Sequence, residues 1–317
     1  MTREVPIFFT VDDVYAPLLA VALNSAIKNS NPERRYVAHV LNRGLSDENI
    51  KKLGALATDN FRIDFRPMTA DMNVFDDRIN NRLRHNYFTL TIYFRLFIPT
   101  MFPDLDKGIY LDSDVVLTDD VAKLFDTEIG DNFFGACHDL SIADNETLVG
   151  YTETAVGVRG HEYINSGVLL MNLKKMRDCD LEGHFLDLLT TYHFDSVAPD
   201  QDYLNAMCNG KIFYLDKRWD AMPNNARPPQ EDPGLIHYNL FEKPWCYDNI
   251  QYADVFWKYA EDCGYLRELK EHKESYTDEQ RETDRDAMGV LVRRCMEIPL
   301  TEITFRKLHE KGVKIRL

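Results

Sequence analysis

The sequence predicts an α/β protein with a mostly parallel central sheet and a small helical appendage at its C-terminal end. Over the first 120 residues, short apolar runs alternate with segments of helical spacing, a pattern typical of strands connected by helices. Two acidic motifs, Asp12-Asp13 and Asp112-Ser113-Asp114, come directly after apolar runs. Because ligands bind beyond the carboxyl ends of the strands in open α/β sheets, both motifs are placed where a site would form.

The individual elements follow from these patterns in chain order. Ile7–Val11 is the first predicted strand, and apolar residues at helical spacing follow it between positions 18 and 26. Ser46 is a candidate N-cap of the next helix. Further strands are predicted at Tyr36–Leu41, Phe61–Phe65, Gly108–Leu111, Phe133–Cys137, Val168–Asn172 and Leu235–Tyr238. Helices are predicted at Thr89–Phe97, at Leu181–Tyr192, from Pro199 onward, and after residue 251, where Thr277 and Gln280 form a candidate capping box.

Length and charge limit the class of protein. The chain has 317 residues and a net charge of −15, which argues against general nucleic-acid binding because that needs a basic face. Its apolar stretches are far shorter than the roughly 20 residues of a membrane helix. The six cysteines lack paired spacing, and the first residues lack the apolar core of a secretory signal. We therefore expect reduced thiols in a cytoplasmic protein, with a main domain over 1–250 and a helical extension with a basic tail over 251–317.

A pair of carboxylates follows the predicted strand at Gly108–Leu111. In extended chain, Asp-x-Asp places both side chains on one side of the backbone, where their oxygens can bind one divalent cation. The bare motif is weak evidence, because this acidic sequence contains it five times. Only Asp112 and Asp114 follow a strongly apolar strand, so this pair is the candidate metal site, with a solvated turn as the alternative.

A histidine lies near the end of the predicted strand at 235–238, and a lysine follows this strand. His237 ends that strand, and Lys243 comes six residues later in the sequence His237-Tyr238-Asn239-Leu240-Phe241-Glu242-Lys243-Pro244-Trp245. Imidazole can complete a metal site and an ammonium group can neutralise a phosphate. A cation held by two carboxylates and an imidazole keeps open positions for diphosphate oxygens, although a lone histidine is more often structural.

Together these segments resemble glycosyltransferase family 8, and in particular its bacterial lipopolysaccharide galactosyl- and glucosyltransferases. The resemblance is carried, over about residues 5–250 and in family order, by Tyr110-Leu111-Asp112-Ser113-Asp114, by Asn165-Ser166-Gly167 and the apolar run after it, by Asp200-Gln201-Asp202, and by the His237–Trp245 segment. It implies a GT-A fold, a UDP-galactose or UDP-glucose donor, a saccharide acceptor, Mn²⁺ or Mg²⁺, and retention of the anomeric configuration.

The resemblance also implies roles for individual residues. Asp112, Asp114 and His237 match the metal ligands, and Lys243 matches the diphosphate-binding lysine. Asp12 and Tyr15 match the residues at the uracil base. The donor-sugar positions are matched by Arg95, Asp139, Asn165, Asp200, Gln201 and Asp202. Two positions depart from the family pattern: Leu240 replaces a glycine that approaches the diphosphate, and Val14 replaces an asparagine that contacts the nucleoside.

The sequence favours front-face attack over double displacement. The residue that matches the position opposite UDP is Gln201, an uncharged and poor nucleophile, whereas Asp202 or Asp139 as a covalent nucleophile stays open. A sugar-1-phosphate nucleotidyltransferase would show a Gly-rich basic loop after the first strand, where this chain has Asp12-Asp13. A glycosidase would need no nucleotide or metal. A non-catalytic nucleotide-sugar-binding protein is the remaining alternative.

The C-terminal tail reverses the charge of the chain. Residues 303–317 contain five basic residues against one acid, a net charge of +4, so the total of −15 leaves −19 for the rest. Apolar residues alternate with the basic ones: Ile303, Phe305, Leu308, Val313, Ile315 and Leu317. Such a segment can lie on an anionic bilayer, here the inner membrane face, or pack on the body as an ordinary element; the sequence leaves both interpretations open.

Overall fold

The computed structural model describes residues 4–68, 90–143 and 145–317. The strands are β1 Val5–Val11, β2 Tyr36–Asn42, β3 Phe61–Pro67, β4 Gly108–Leu111, β5 Val115–Leu117, β6 Phe134–Ala136, β7 Val168–Met171, β8 Ile212–Tyr214 and β9 Leu235–His237. The α-helices are α1 Ala16–Lys28, α2 Asp47–Gly54, α3 Ile98–Met101, α4 Ala122–Phe125, α5 Leu140–Ala143, α6 Glu146–Tyr151, α7 Leu173–Asp178, α8 Leu181–Tyr192, α9 Pro199–Cys208, α10 Ala253–Ala260, α11 Leu266–Ser275, α12 Asp278–Glu297 and α13 Phe305–Glu310.

Seven strands form the central sheet, in the order β3-β2-β1-β4-β7-β6-β8. Four of its six pairings are parallel, and the two that involve β7 are antiparallel. The centre of the sheet is buried on both faces, since nearly every residue of β1, β2, β4 and β7 is inaccessible to solvent. The predicted α/β class with a mostly parallel sheet is therefore confirmed.

Most predicted elements lie within one or two residues of their observed positions. Leu181–Tyr192 is a helix with those bounds, α9 begins at Pro199, and the Thr277–Gln280 capping box is formed in both directions. The segment predicted as a helix at 89–97 is a 3₁₀-helix over Leu90–Leu96, and Thr89 lies outside the described residues. Strands β5 and β8, each three residues long, are not among the predicted elements.

A small second sheet brings two distant parts of the chain together. β5 and β9 pair antiparallel, with Val115 opposite His237. The Tyr238 amide donates to the carbonyl oxygen of Asp114 at 3.0 Å. This ladder fixes the carboxylates that precede β5 beside the histidine that ends β9.

The C-terminal helices pack on the body. Phe256 and Tyr259 of α10 belong to the apolar core beneath α1 and the small sheet. In the tail, Phe305, Leu308 and Ile315 are buried in the core on the opposite face of the central sheet. Three of the tail's apolar residues therefore pack in the core of the protein. No helix in the described ranges is long and apolar enough to span a membrane.

Candidate active site and metal centre

Asp112, Asp114 and His237 converge beyond the carboxyl end of β4. Oδ2 of Asp112 lies 3.8 Å and Oδ1 of Asp114 lies 3.4 Å from Nε2 of His237. One potential ligand atom from each of the three lies within 4.8 Å of the others. This is the only such cluster of three or more in the part of the chain that the structure describes. Two carboxylates and an imidazole suit a divalent cation such as Mn²⁺ or Mg²⁺.

Gly167 leaves the room that this cluster needs. Its carbonyl oxygen accepts a hydrogen bond from the Asp112 amide at 2.8 Å. A methyl group on Gly167 would lie 2.3 Å from Cε1 of His237 and 2.7 Å from Oδ2 of Asp112, distances that side chains do not adopt. A glycine in the Asn165-Ser166-Gly167 segment is therefore required for the two ligands to reach one point, which supports the fit of this donor set to a cation.

Asp220 lies behind His237 and is not among the site residues that the sequence predicts. Its Oδ1 is 3.0 Å from Nδ1 of His237, and both side chains are buried. Burial alone would lower the pKa of His237, but the carboxylates of Asp220 and Asp114 raise it to about 10. Burial also raises the pKa of Asp220, against the effect of His237. No pattern around Trp219-Asp220 signals this role, because the contact arises only when β9 pairs.

Lys243 reaches the cluster from the other side. Its Nζ donates to Oδ2 of Asp114 at 2.6 Å and also contacts the carbonyl oxygen of Tyr238. Burial would raise the pKa of Asp114, but Lys243 and His237 hold it well below its usual range. The carboxylate is therefore ionised at neutral pH, as a cation ligand must be. Trp245 is buried against Tyr238, so it is a packing residue.

Leu240 has a left-handed backbone conformation, of the kind that glycine adopts most readily. Its φ is +60°, in the left-handed region that costs a residue with a Cβ about 1–2 kcal/mol. The loop between His237 and Lys243 therefore follows a path that suits glycine, although the chain supplies leucine.

Arg95 connects the candidate ligands Asp112, Asp114 and His237, which we call the metal cluster, to residues predicted at the donor sugar. It is buried, and it donates to Oδ1 of Asp112 at 2.9 Å and to the Ser166 carbonyl at 2.5 Å, while its Nε lies 3.1 Å from Oδ2 of Asp200. Tyr110 also donates to Oδ1 of Asp112, at 2.6 Å. Burial raises the pKa of Asp200, and Arg95 opposes that shift. Because Arg95 is buried, its ion pairs are not exposed surface contacts.

A second polar cluster, which we call the sugar-side cluster, is formed by Asp139, Asn165 and Gln201. Oδ2 of Asp139 accepts from Nδ2 of Asn165 at 3.1 Å and from Nε2 of Gln201 at 2.9 Å. Oε1 of Gln201 accepts from the Ser166 amide at 3.0 Å. Since Ser166 also donates to Asp200, the cluster is continuous with Arg95 and the metal cluster. The structure thus brings these predicted donor-sugar residues together.

Asp202 is held elsewhere. It is inaccessible to solvent, and its carboxylate accepts from Tyr151 at 2.7 Å, from Tyr163 at 2.5 Å and from the Ala198 amide at 3.3 Å, with a further contact to Ser196. Burial raises its pKa, and the hydroxyl donors oppose that shift. These donors occupy both carboxylate oxygens. The nucleophilic role of Asp202 stays a prediction, and the structure supplies a structural role beside it.

Asp12 and Tyr15 lie at the end of β1. Oδ1 of Asp12 accepts from the Tyr15 amide at 3.0 Å, which forms a turn before α1. Asp13 accepts from the Ser46 amide and from Nδ2 of Asn49, both at 2.7 Å, and fixes the start of α2. Val14, between Asp13 and Tyr15, is 80% exposed. The two aspartates therefore have different roles. Asp12 lies at the end of β1, whereas the carboxylate of Asp13 stabilises the start of α2.

The comparison with known families decides between the enzyme classes that such a site suits. The sequence matches the family model of Glycosyl transferase family 8 over residues 6–249. The protein belongs to glycosyltransferase family 8. The glycosyltransferase family 8 match covers the metal cluster, the sugar-side cluster and the loop between His237 and Lys243. It favours glycosyl transfer over nucleotidyl transfer, hydrolysis or binding without turnover.

Relatives and solved structures agree with this assignment. A putative glycosyltransferase of Haemophilus influenzae is 28% identical over 227 residues, which cover 71% of this chain and 65% of that protein, slightly less than two thirds. A lipopolysaccharide 1,2-glucosyltransferase of Escherichia coli is 26% identical over 298 residues, 84% of this chain and 83% of the enzyme.

The fold is also found in solved glycosyltransferases. The structure of galactosyltransferase LgtC with donor and acceptor sugar analogues has a TM-score of 0.65 and 30% identity, covering 88% of this chain and 100% of LgtC. The bifunctional glycosyltransferase WbbM has a TM-score of 0.73 and 22% identity, covering 87% of this chain and 52% of WbbM. The central sheet and its helices are thus the GT-A-like architecture of these glycosyltransferases.

Proposed function

We propose that this protein is a retaining hexosyltransferase that uses Mn²⁺ or Mg²⁺ and moves galactose or glucose from a UDP-sugar to a saccharide acceptor. The convergence of Asp112, Asp114 and His237 beside Lys243 carries the proposal, because this set suits a cation and a diphosphate together. The similar LgtC structure holds donor and acceptor sugar analogues. The similar enzyme of Escherichia coli is named a glucosyltransferase.

Charge development at the leaving group is the main barrier to such a transfer. As the bond to the sugar breaks, UDP gains negative charge. A divalent cation bound by Asp112, Asp114 and His237 would supply the positive charge that stabilises it. Lys243, within 2.6 Å of Asp114, adds a second positive charge on the same side, in a site that is preorganised by burial. Asp12 and Tyr15, at the end of β1, hold the nucleoside in this proposal.

The sugar-side cluster supports front-face attack. Gln201 has its amide nitrogen bonded to Asp139 and its amide oxygen bonded to Ser166, so it serves to position polar groups and has no charge to offer. Arg95, Asn165 and Asp200 belong to the same network. In the proposed reaction, the acceptor hydroxyl attacks on the side that UDP leaves and passes its proton to the departing phosphate. Asp139 as a covalent nucleophile is the alternative mechanism.

A donor screen tests the function. UDP release from UDP-galactose and UDP-glucose is measured with a panel of saccharides, with Mn²⁺, with Mg²⁺ and with EDTA. We expect metal-dependent release that an acceptor stimulates, and loss of it in Asp114→Asn. Asp248→Asn changes an exposed ion pair with Lys273 and is the matched control. Metal-independent release, or release that survives Asp112→Asn combined with Asp114→Asn, would contradict the proposal.

The setting of the enzyme is part of the proposal. The named activity of the Escherichia coli relative points to an acceptor on a lipid-linked glycan. We propose a cytoplasmic protein with a catalytic domain over 1–250 and an extension over 251–317 that contacts the inner membrane face peripherally. Support comes from the +4 charge of residues 303–317 and from three exposed apolar side chains near them, Met296, Leu300 and Ile303.

A further inference from the structure

Asp220 is placed by the same backbone pairing that places His237. The 3₁₀ turn Lys217–Asp220 leads into Ala221, whose amide donates to the carbonyl oxygen of Leu235 at 2.9 Å. The His237 amide in turn donates to the carbonyl oxygen of Ala221 at 3.0 Å. These two bonds, one on each side of Ile236, fix the backbone of Asp220 relative to that of His237. The two side chains therefore start from adjacent backbone positions, from which the Asp220 carboxylate reaches Nδ1 of His237.

The two ring nitrogens of His237 face different partners. Nδ1 is 3.0 Å from Asp220, whereas Nε2 faces Asp112 and Asp114. An ionised carboxylate only accepts hydrogen bonds, so Nδ1 must carry the proton of the bond to Asp220. In the neutral ring, Nε2 then presents its lone pair to the space between the two metal-side carboxylates.

The two oxygens of Asp220 differ, because only Oδ1 takes part in a hydrogen bond in the described ranges, the one with His237. Oδ2 is buried and has no hydrogen-bond partner among the described residues. A buried carboxylate is costly unless a positive charge lies close to it. The positive charge available through His237 is that of the ring or of a cation bound at Nε2. An asparagine would keep the hydrogen-bond acceptor but remove this charge.

We infer that Asp220 is a positioning residue for the metal centre. It holds His237 with Nδ1 protonated, aims Nε2 at the cation and adds a third carboxylate behind the two that bind it. The inference rests on the proposed function, because it assumes that Asp112, Asp114 and His237 bind a divalent ion. Hydrogen-bonded partners behind metal-binding histidines typically change metal affinity by about 10- to 100-fold.

Mn²⁺ affinity provides the first test. The free Mn²⁺ signal in electron paramagnetic resonance is titrated with wild-type protein, Asp220→Asn, Asp220→Ala and the control Asp216→Asn, each in the presence of UDP. Asp216 begins the same turn, is exposed, and caps it through the Arg218 amide. We expect affinity to fall by about tenfold or more in both Asp220 variants and to stay within twofold in the control. Equal Mn²⁺ affinity in Asp220→Asn and wild type would overturn the inference alone, whereas a wild-type protein that binds no Mn²⁺ removes the proposed function as well.

The ring tautomer provides a second test that needs no variant at position 220. Protein labelled with ¹⁵N-histidine is studied by NMR with Mg²⁺ and UDP, and His237→Gln identifies the signals of that ring. We expect a proton on Nδ1 and none on Nε2 of His237. A proton on Nε2, with Nδ1 unprotonated, would contradict the role of Asp220 even if the Asp220 variants fail to fold.

Discussion

Leu240 carries backbone strain at the point where the chain passes the proposed diphosphate site. The left-handed conformation costs about 1–2 kcal/mol for leucine, and glycine adopts it freely but loses more entropy on folding, about 0.5–1 kcal/mol. Leu240→Gly is therefore expected to raise the free energy of unfolding by about 0.5–1 kcal/mol in urea titrations. It should also tighten UDP binding measured by calorimetry with Mn²⁺, because the backbone amide becomes more accessible to a phosphate oxygen.

Leu240→Ala separates strain from side-chain bulk. Alanine keeps a Cβ in the left-handed region, so this variant should gain no stability while it also uncovers the amide. If Leu240→Gly and Leu240→Ala both have a lower free energy of unfolding than wild type, by similar amounts, the prediction is wrong. The leucine side chain would then stabilise the loop by more than its backbone strain costs.

Substitution of Gly167 is expected to damage the proposed metal centre although no ligand residue is replaced. Gly167→Ala places a methyl group within 3 Å of His237 and Asp112, so the two ligands must separate. We expect Mn²⁺ affinity to fall by at least about tenfold, measured by the same titration of free Mn²⁺. Gly150→Ala is the control, since a methyl group there meets no described atom within 4 Å. Wild-type Mn²⁺ affinity in Gly167→Ala would place the cation away from this cluster.

At the level of single residues, the sequence predicts the ligands better than their supports. Asp112 and Asp114 follow strand β4, and His237 is the last residue of strand β9. A side chain at the end of a strand is a candidate for the ligand crevice. Asp220 has no such mark, because its contact with His237 depends on a bridge between Ala221 and Ile236 that no local pattern encodes. Asp200 and Asp202 are two residues apart and look equivalent in the sequence, yet one contacts Arg95 and the other contacts two buried tyrosines.

Asp202 connects several elements, and this connection predicts what its loss would do. It joins the first turn of α9 to Tyr151 at the end of α6 and to Tyr163 before β7. Asp202→Asn replaces one of the two carboxylate oxygens, each of which accepts from hydroxyl donors, by an amide nitrogen, which cannot accept. We expect the free energy of unfolding to fall by about 2 kcal/mol, the size typical of hydrogen bonds to charged groups. Below the unfolding transition, kcat should stay within about tenfold of wild type.

The alternative role of Asp202 makes a different prediction. If Asp202 is a covalent nucleophile, its replacement in Asp202→Asn would lower kcat by about a thousandfold or more in folded protein. Tyr163→Phe removes one donor without changing the carboxylate and serves as the reference for a purely structural loss. A large loss of kcat in Asp202→Asn at wild-type stability would establish the catalytic role.

Among the described strands, the sequence misses two, β5 and β8, although it predicts the equally short β6 and β9. Strands β1 to β3 extend over seven residues each and were predicted within two residues at either end. Strand β5 has only three residues directly after Asp114, and β8 has three residues of partial exposure, so neither has a distinct period. The direction of β7 was also beyond the sequence, because a buried four-residue strand reads the same whether its neighbours are parallel or antiparallel.

For the whole molecule, the structure changes the interpretation of the basic tail. Phe305, Leu308 and Ile315 are buried in the core, so they cannot enter a bilayer while the protein is folded. The apolar surface that remains in this region is Leu300, 80% exposed, with Met296 and Ile303. Peripheral membrane contact would therefore use this small surface together with basic side chains of the docked tail. It would be weak, because the rest of the chain carries −19.

Vesicle binding tests this form of membrane contact without removing the buried anchors of the tail. Each basic residue near an anionic surface contributes about 1 kcal/mol at physiological salt, and higher salt screens that attraction. Wild-type protein should co-sediment with vesicles that contain phosphatidylglycerol more than with phosphatidylcholine vesicles, and less at 500 mM than at about 50 mM salt. Leu300→Ser combined with Ile303→Ser should reduce binding, whereas Val14→Ser, a change at an exposed valine far away in the sequence, should not. Wild-type protein that stays in the supernatant at low salt would leave residues 303–317 as a docked structural element alone.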